Sequence, residues 1–208
     1  LVNSMLATSA GPGAVSWLNY AFRLMQFPIG VFGVSLAQAT LPRVSTHWAR
    51  SEHQQASETI RQSLLQVFAI NLPAAAGLAA LAVPLISLLF EHGRFGSTDT
   101  SQTALALAAY SLGLAAYSGV KVLVPVFYAF GTTRVPVISS LMSVGITILL
   151  NLMTVRLLGF WGLALGTSIS AFVNLGYLLF SVRSIVVGKG SEFSLFWLFR
   201  RFCLHALL

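Results

Sequence analysis

The chain has 208 residues, of which 56% are hydrophobic and 8% are charged, and its mean hydropathy is +0.82. Soluble domains carry about 25% charged residues, so this composition excludes an ordinary water-soluble protein. Because a helix crosses a bilayer with about 20 mostly apolar residues, we predict an all-α, multi-pass transmembrane bundle. It should form a single membrane domain over residues 1–208, with five complete spans and two partial ones.

Apolar segments alternate with short polar ones along the chain. After a partial span and a turn rich in Gly and Pro at residues 9–13, the complete spans are predicted over residues 15–41, 62–90, the stretch between 99 and 131, 135–155 and 160–182. A last partial span begins near Leu195. The polar linker at residues 42–61 should be partly helical at the membrane surface. Since residues 1–9 and 202–208 are apolar and helix-like, we expect the chain to be a piece of a longer protein.

Local signals mark several helix ends and breaks. Pro73 and Pro84 should break the second span, because proline removes a backbone hydrogen bond. Asp99 and Gln102, three residues apart, make a capping box at the start of the third span. Gly131 suits the end of that span, because glycine readily adopts the left-handed conformation that follows many helices.

Basic residues are concentrated in every second connection. The connections around residues 42–61, 131–134 and 183–201 hold most of the Arg and Lys, whereas those between them hold only Arg94 and Arg156. Short loops rich in Lys and Arg stay in the cytoplasm, so we assign the first three connections to that side. The net charge of +7 follows from this orientation, with attraction to anionic membrane lipids, and calls for no nucleic acid partner.

Two charged residues, Arg23 and Lys121, lie inside predicted spans. A charge in the membrane interior costs at least about 2.5 to 3.5 kcal/mol, so such residues usually face a bundle interior or a wet cavity. The alternative is that their long side chains reach the headgroups. Pro28 and Pro125 follow the two charges and could act as hinges or kinks, although prolines are common in membrane helices in general.

Small and uncharged polar residues recur inside the spans. The runs "GVFGVSLAQA" (30–39) and "GLALGTSISA" (162–171) predict close helix packing. Further polar residues could form interhelical hydrogen bonds or offer oxygen atoms to a small cation; these are Asn3, Thr147, Asn151, Thr167 and Asn174.

No catalytic constellation is recognisable in the sequence. A nucleophile and base pair, a Gly-rich phosphate loop and a cluster of metal ligands are all absent, and the four histidines are scattered. We therefore expect no enzyme activity, no metal and no cofactor. The single cysteine, Cys203, excludes an intrachain disulfide.

The segment "RLMQFPIGVFGVSLAQATLPRVS" (23–45) closely resembles the MurJ (MviN) lipid II flippases of the MOP transporter superfamily. Further similar segments follow in the same order: "LLFEHGRF" (88–95), "YSLGLAAYSGVKVLVPVFYAFGTTRVPV" (110–137) and "GLALGTSIS" (162–170). The resemblance covers nearly the whole chain.

This resemblance implies a MOP/MATE-like fold of fourteen helices in two lobes, of which the chain would form most of the C-terminal lobe. Such flippases move lipid II, the undecaprenyl-pyrophosphate-linked disaccharide-pentapeptide of cell-wall synthesis, to the outer leaflet of the bacterial inner membrane by alternating access. Arg23 matches an arginine that lines the central cavity and helps to bind the pyrophosphate, and we place Gln26 and Lys121 with it. The implied partners are lipid II, membrane lipids and the N-terminal lobe.

The sequence departs from the family pattern at specific positions. Phe22 and Gln26 stand where relatives have acidic residues. Some members bind sodium at the positions of Asn3, Thr147, Asn151 and Thr167, with carboxylates at two of them. Amides replace both here, and hard cations prefer charged oxygen ligands, so this candidate cation site is weaker than theirs.

Two other readings of the sequence stay open. Another MOP-superfamily exporter, such as a polysaccharide-lipid flippase or a drug/cation antiporter, would share the fold. A membrane scaffold that transports nothing would use Arg23 and Lys121 only to orient its helices.

Overall fold

A computed structural model describes residues 8, 11 and 13–190 of the chain, without the side chains of residues 156–158. These residues form helices, and the described part contains no β-strand. The helices are α1 (Ala14–Ala49), α2 (His53–Ala80), α3 (Ala82–Phe90), α4 (Ser97–Ala129), α5 (Arg134–Leu158) and α6 (Phe160–Val187). The two predicted partial spans, Asn3 and Cys203 lie outside the described residues.

Five of these helices, α1, α2, α4, α5 and α6, are long and apolar enough to cross a membrane. The prediction of an all-α bundle with five complete spans is therefore confirmed for the described residues. Helix α4 lies at the centre and packs against α1, α2, α3 and α6, whereas α5 packs mainly against α6. The chain is a multi-pass membrane protein.

The predicted polar linker is almost entirely helical. Helix α1 continues through Pro42 as far as Ala49, and α2 begins at His53, so only three residues, 50–52, form the turn. The turn is closed by the amide of Glu52, which donates to the carbonyl of His47 at 2.9 Å, while the two side chains pair at 2.7 Å. The prediction that this linker is partly helical is confirmed, because charged residues end the apolar run near residue 41 without ending the helix.

The break in the second span lies at Leu81 and not at a proline. Pro73 is inside the continuous helix α2, so the break predicted there was wrong. Pro84 is the third residue of α3, where the missing amide hydrogen breaks no bond because the first turn of a helix has no intrahelical acceptor for it. Pro84 is therefore compatible with the start of a new helix after Leu81.

Asp99 caps α4 from a position different from the predicted one. The helix begins at Ser97, and the Asp99 carboxylate accepts a hydrogen bond from the amide of Gly96 at 3.0 Å. Asp99 is thus the third helical residue and not the residue before the helix, and Gln102 takes no part in this cap. The end of α4 was predicted correctly, since Gly131 has φ of +71° just after the helix.

The core has two parts, one in each half of the bundle. Residues near the α1–α2 turn and the end of α4 form one cluster, in which Phe127 and Leu64 are fully buried. Residues near the start of α1 and α4 form the other, with Met25 and Leu107 fully buried. In lipid, such contacts hold helices together by close packing and not by exclusion of water.

Aromatic and polar contacts fix which helix ends lie together. At one end, the indole of Trp17 donates to Asp99 at 2.8 Å and its ring lies 5.2 Å from that of Phe160. At the other end, the rings of Trp48 and Phe130 are 3.9 Å apart. The connections therefore alternate between the two ends of the bundle, as the predicted topology requires.

The loop between α3 and α4 is tied to the first of these two ends. The hydroxyl of Thr100 donates to the carboxylate of Glu91 at 2.9 Å. Hydrogen bonds from Ser87 and then Thr100 lower the pKa of Glu91 below its ordinary value. Glu91 thus stays ionised and holds the loop against the start of α4.

Candidate functional site

Arg23 lies on α1 and is exposed on the surface of this bundle. It follows Ala14, the first residue of the helix, by nine residues, which is roughly 14 Å at 1.5 Å per residue. Neither of the ion pairs formed by the described residues includes Arg23. The guanidinium is therefore available to a group that this part of the chain does not supply.

Arg23 belongs to a row of polar or small exposed residues, which we call the polar face of α1. Spacings of three and four residues, with one spacing of five after Gly30, keep them on one side of the helix. The row consists of Ser16, Asn19, Arg23, Gln26, Gly30, Ser35 and Gln38. The opposite side is buried and consists of Ala14, Leu18, Ala21, Met25, Pro28, Ile29, Gly33, Ala37, Thr40 and Val44.

A π-helical turn, Ile29–Val34, lies in the middle of α1. Gly30 and Ser35 are five residues apart. In a regular α-helix, this spacing would place Ser35 outside the polar face. The π turn holds more residues per turn, so it returns Ser35 and Gln38 to the side that carries Arg23. Polar residues in both halves of the helix consequently form one continuous face.

Pro28 directly precedes the π turn and is buried. Its ring cannot donate to the helix ladder, and kinks in helices are often found at prolines and π turns. The predicted bend thus coincides with a real irregularity of the backbone, although the helix continues through it. A hinge role for Pro28 stays a prediction.

Gln26 lies next to Arg23 on the polar face, and two phenylalanines flank them. Gln26 is exposed, Phe22 is 37% exposed and Phe27 is 72% exposed. Phe22 also contacts the ring of Tyr110 at 5.6 Å. This part of α1 combines a cation, an amide and apolar rings, which suits a molecule with both an anionic and an apolar part.

Lys121 lies at a different depth on α4. It is exposed and three residues beyond Ser118, which packs against Gly33 of the π turn. The contact between Phe22 and Tyr110 places Arg23 near the level of residue 111. Lys121 is ten residues further along α4, or roughly 15 Å. The structure therefore does not bring the two cations together.

Pro125, the second predicted kink, lies inside α4 one turn after Lys121. Helix α4 continues through it to Ala129, and no π turn accompanies it. A hinge at Pro125 stays a prediction with less support than the one at Pro28.

Residues of the candidate cation site lie at the interface of α5 and α6. The hydroxyl of Thr147 is 2.8 Å from the carbonyl of Ser143 and 2.7 Å from the hydroxyl of Ser170. Asn151 is fully buried and its side chain fills the space beside Gly166. Asn3 lies outside the described residues, so the complete set stays a prediction.

Thr167 is at the edge of the same interface but its hydroxyl faces its own helix. It is 2.8 Å from the carbonyl of Ala164, while the main-chain carbonyl of Thr167 accepts a hydrogen bond from Tyr117 at 3.3 Å. The bond between Thr147 and Ser170 and the bond between Ser139 and Asn174 confirm the predicted interhelical hydrogen bonding for Thr147 and Asn174, whereas the hydroxyl of Thr167 bonds within its own helix. Within residues 13–190, no group of three His, Cys, Asp or Glu could hold a metal.

The predicted small-residue runs pack closely at particular glycines. A Cβ atom at Gly33 would lie 3.4 Å from the backbone of Ser118, and Gly166 has no room for one because of Asn151. Gly30, in contrast, has no atom within 4 Å of such a position. Gly30 therefore adds no side chain to the exposed polar face.

Arg23 and Gln26 were predicted from the sequence, but the other polar residues of this face were not; these are Ser16, Asn19, Ser35 and Gln38. The first two could have been found from their spacing of three and four residues relative to Arg23. The other two could not, because their place on the polar face depends on the π turn.

The fold and this site together define a class of protein: a multi-pass α-helical membrane protein with a polar, cationic helix face that the described residues leave exposed. The family described as "Lipid II flippase MurJ" matches residues 1–206 of the chain. The chain belongs to this family.

Individual relatives and one solved structure agree with this assignment. A protein from Vibrio cholerae named "Probable lipid II flippase MurJ" is 35% identical over 178 residues, which are 86% of this chain and 34% of the relative. "Lipid II flippase MurJ" from Burkholderia cenocepacia is 34% identical over 183 residues, 88% of this chain and 36% of the relative.

The solved structure is titled "Lipid II flippase MurJ, inward closed conformation". It matches 99% of this chain and 42% of its own with a TM-score of 0.82 and 28% identity. The chain thus spans about a third of the length of these two curated relatives.

Proposed function

We propose that this chain is part of a lipid II flippase of the bacterial inner membrane and that Arg23 binds the pyrophosphate of the lipid. The observation that carries the proposal is the position of Arg23, which is exposed on the polar face of α1 and takes part in neither ion pair of the described residues. Family membership gives this position its functional meaning, since the relatives are named as lipid II flippases.

The chemistry of the side chain suits this role. A guanidinium keeps its charge at any physiological pH and presents a planar set of donors that matches two phosphate oxygens at once. Gln26 adds an amide beside it, and Phe22 and Phe27 offer apolar surface to the prenyl chain or sugar rings. The anionic headgroup would then cross the membrane next to a cation instead of hydrocarbon.

The remaining helices of the protein would cover the polar face of α1 from the other side. The polar residues on this face extend from Ser16 to Gln38, over both halves of α1. In a transporter that alternates between two openings, such a face would contact the cargo at more than one depth. The cytoplasmic side would be the one with the α1–α2 turn, because basic residues are concentrated there.

The test substitutes Arg23 in the full-length protein and measures rescue of a bacterium depleted of its flippase. Arg23→Ala should abolish rescue, and Arg23→Lys should be partly or wholly defective because it keeps the charge but loses the two-pronged geometry. Arrival of lipid-linked precursor in the outer leaflet should fall in parallel.

Arg43 provides the matched control. It is exposed on the same helix but beyond the predicted apolar span, so Arg43→Lys and Arg43→Ala should rescue nearly as well as the wild type. All variants must reach equal membrane abundance. Full rescue by Arg23→Ala would contradict the binding role, and full rescue by Arg23→Lys alone would favour a cation that only reaches the headgroups. If another lipid-linked sugar accumulates instead of lipid II, the cargo assignment is wrong.

A further inference from the structure

Two buried polar groups near the π turn of α1 have no hydrogen-bond partner among the described residues. Asn71 on α2 and Ser118 on α4 are both 0% exposed. The amide nitrogen of Asn71 donates to the carbonyl of Val67 at 2.9 Å, but no residue in the described part of the chain pairs with its oxygen, Oδ1, or with the hydroxyl of Ser118. Buried polar groups in native proteins are nearly always paired, so each unpaired one calls for an explanation.

Helix contacts place both groups at the level of the π turn. Thr40 of α1 donates to Ser63 of α2 at 2.7 Å, and Asn71 is eight residues, or roughly 12 Å, from Ser63. The helices are antiparallel, and eight residues back along α1 from Thr40 reach Phe32, inside the π turn. Ser118 contacts the same turn, because a Cβ atom at Gly33 would be 3.4 Å from its hydroxyl.

A separate contact gives the same level for Asn71 relative to α4. A Cβ atom at Gly119 would lie 3.2 Å from the ring of Phe68. Phe68 is therefore level with residue 119 of α4. Asn71 is three residues further along α2, and because α4 runs antiparallel to α2, Asn71 is level with residue 116 of α4. Asn71 and Ser118 therefore differ in depth by about two residues, or roughly 3 Å.

The side chain of Asn71 points between the two other helices. Viewed down the axis of α2, Ser63 is on the side that faces α1, because it bonds to Thr40. Phe68 is on the side that faces α4, because it lies beside Gly119. At 3.6 residues per turn, Asn71 falls between these two directions. The unpaired oxygen thus faces the place where α1, α2 and α4 meet, which we call the three-helix junction and define by Gly33, Asn71 and Ser118.

We propose that the three-helix junction binds one internal water molecule that bridges Asn71 and Ser118. The water donates one hydrogen to Oδ1 of Asn71 and forms a second bond with the hydroxyl of Ser118. Its other hydrogen reaches a main-chain carbonyl of the π turn, where the regular helical hydrogen bonding is interrupted. Buried waters typically make about three such bonds to groups that otherwise lack a partner.

Water fits this junction better than a cation does. The ligands are neutral, and no Asp or Glu is among the buried residues of the described part. A hard cation prefers carboxylate oxygens, and a charge buried among neutral groups is costly. The bound water joins the middle of α1 to α2 and α4 and stabilises the π turn that keeps the polar face continuous.

Three variants of the full-length protein in detergent test the proposal by thermal unfolding. Asn71→Leu and Ser118→Ala each remove one ligand of the water, and the double variant removes both. Each single substitution should lower the melting temperature. The double variant should lower it by less than the sum, because the same water is lost only once.

Ser111→Ala is the matched control on α4. Ser111 is 1% exposed, and its hydroxyl donates to the carbonyl of Leu107 in its own helix at 2.7 Å. Its effect should be small and should add to that of Asn71→Leu. Additive effects of Asn71→Leu and Ser118→Ala would contradict the shared water.

Two further results would overturn the proposal. If the junction is dry, replacing the unpaired groups removes a penalty, and Ser118→Ala and Asn71→Leu would leave the melting temperature unchanged or raise it. If the ligand is a cation, sodium would raise the melting temperature of the wild type but not that of Asn71→Leu. An experimental structure at a resolution that shows waters should have density between Oδ1 of Asn71 and the hydroxyl of Ser118.

Discussion

Gly113 lies where the backbones of helices α4 and α6 come close together, and we predict that Gly113→Ala destabilises the protein. A Cβ atom at Gly113 would lie 2.9 Å from Cα of Ser168, 2.9 Å from its hydroxyl oxygen and 3.0 Å from its Cβ. Ordinary contacts between carbon atoms are about 3.5 to 4.0 Å. Because one of the atoms is backbone, a rotamer change cannot relieve the overlap, and the two helices must move apart.

The size of the effect can be estimated from three contributions. Overpacking of this kind costs about 1 to 3 kcal/mol. The hydroxyl of Ser168 donates to the carbonyl of Ala109 at 2.8 Å, and loss of that bond costs about 1 kcal/mol more. Alanine gains up to about 1 kcal/mol over glycine from helix propensity. We therefore expect a net loss of about 1 to 3 kcal/mol of unfolding free energy.

Two other glycines in the same bundle serve as controls. Gly145 on α5 and Gly176 on α6 have no atom within 4 Å of a built Cβ, so alanine there should be neutral or stabilising by up to about 1 kcal/mol. The assay is unfolding of the full-length variants in a denaturing detergent titration, compared at equal protein concentration. If Gly113→Ala were as stable as Gly176→Ala, the close approach of α4 and α6 would be wrong.

Two predictions concern the orientation of the chain and the second intramembrane cation. The orientation can be tested in a cysteine-free full-length protein with an impermeant thiol reagent added to intact cells. Ser51→Cys should be shielded and Ser97→Cys should react, because these exposed residues lie at opposite ends of the bundle. Labelling at position 51 from outside would reverse the topology. Lys121→Ala should impair transport in the depletion assay without loss of membrane insertion. Lys189→Ala, beyond the end of α6, should leave transport unimpaired. Normal transport by Lys121→Ala would mean that the side chain of Lys121 only reaches the headgroups.

The number of spans could be predicted from the sequence because the bilayer imposes a minimum length of apolar residues on each crossing helix. The limits of the helices could not, because backbone hydrogen bonding continues where apolar residues stop. Helix α1 runs on to Ala49 past Pro42 and Arg43. In the second span, the break depends on the backbone at Leu81 and is not specified by the nearby prolines.

The candidate site was predictable only as far as regular helix geometry applies. Arg23 and Gln26 are three residues apart and share a face in any α-helix. Ser35 and Gln38 join that face through the π turn, whose position nothing in the local composition indicates. The three-helix junction could not be predicted from the sequence, because Asn71 and Ser118 come together only through the relative depths at which three helices pack.

The connection between α5 and α6 has a consequence for how motion in this protein could be measured. A single residue, Gly159, separates the two helices. Along their interface, Ser139 donates to the side-chain oxygen of Asn174 and Thr154 donates to the carbonyl of Gly162. Since α5 makes few contacts with the described helices other than α6, α5 and α6 should move together as one rigid unit. A spectroscopic label at Leu141, which is 68% exposed on α5, would therefore report displacements of α6 without disturbing the core.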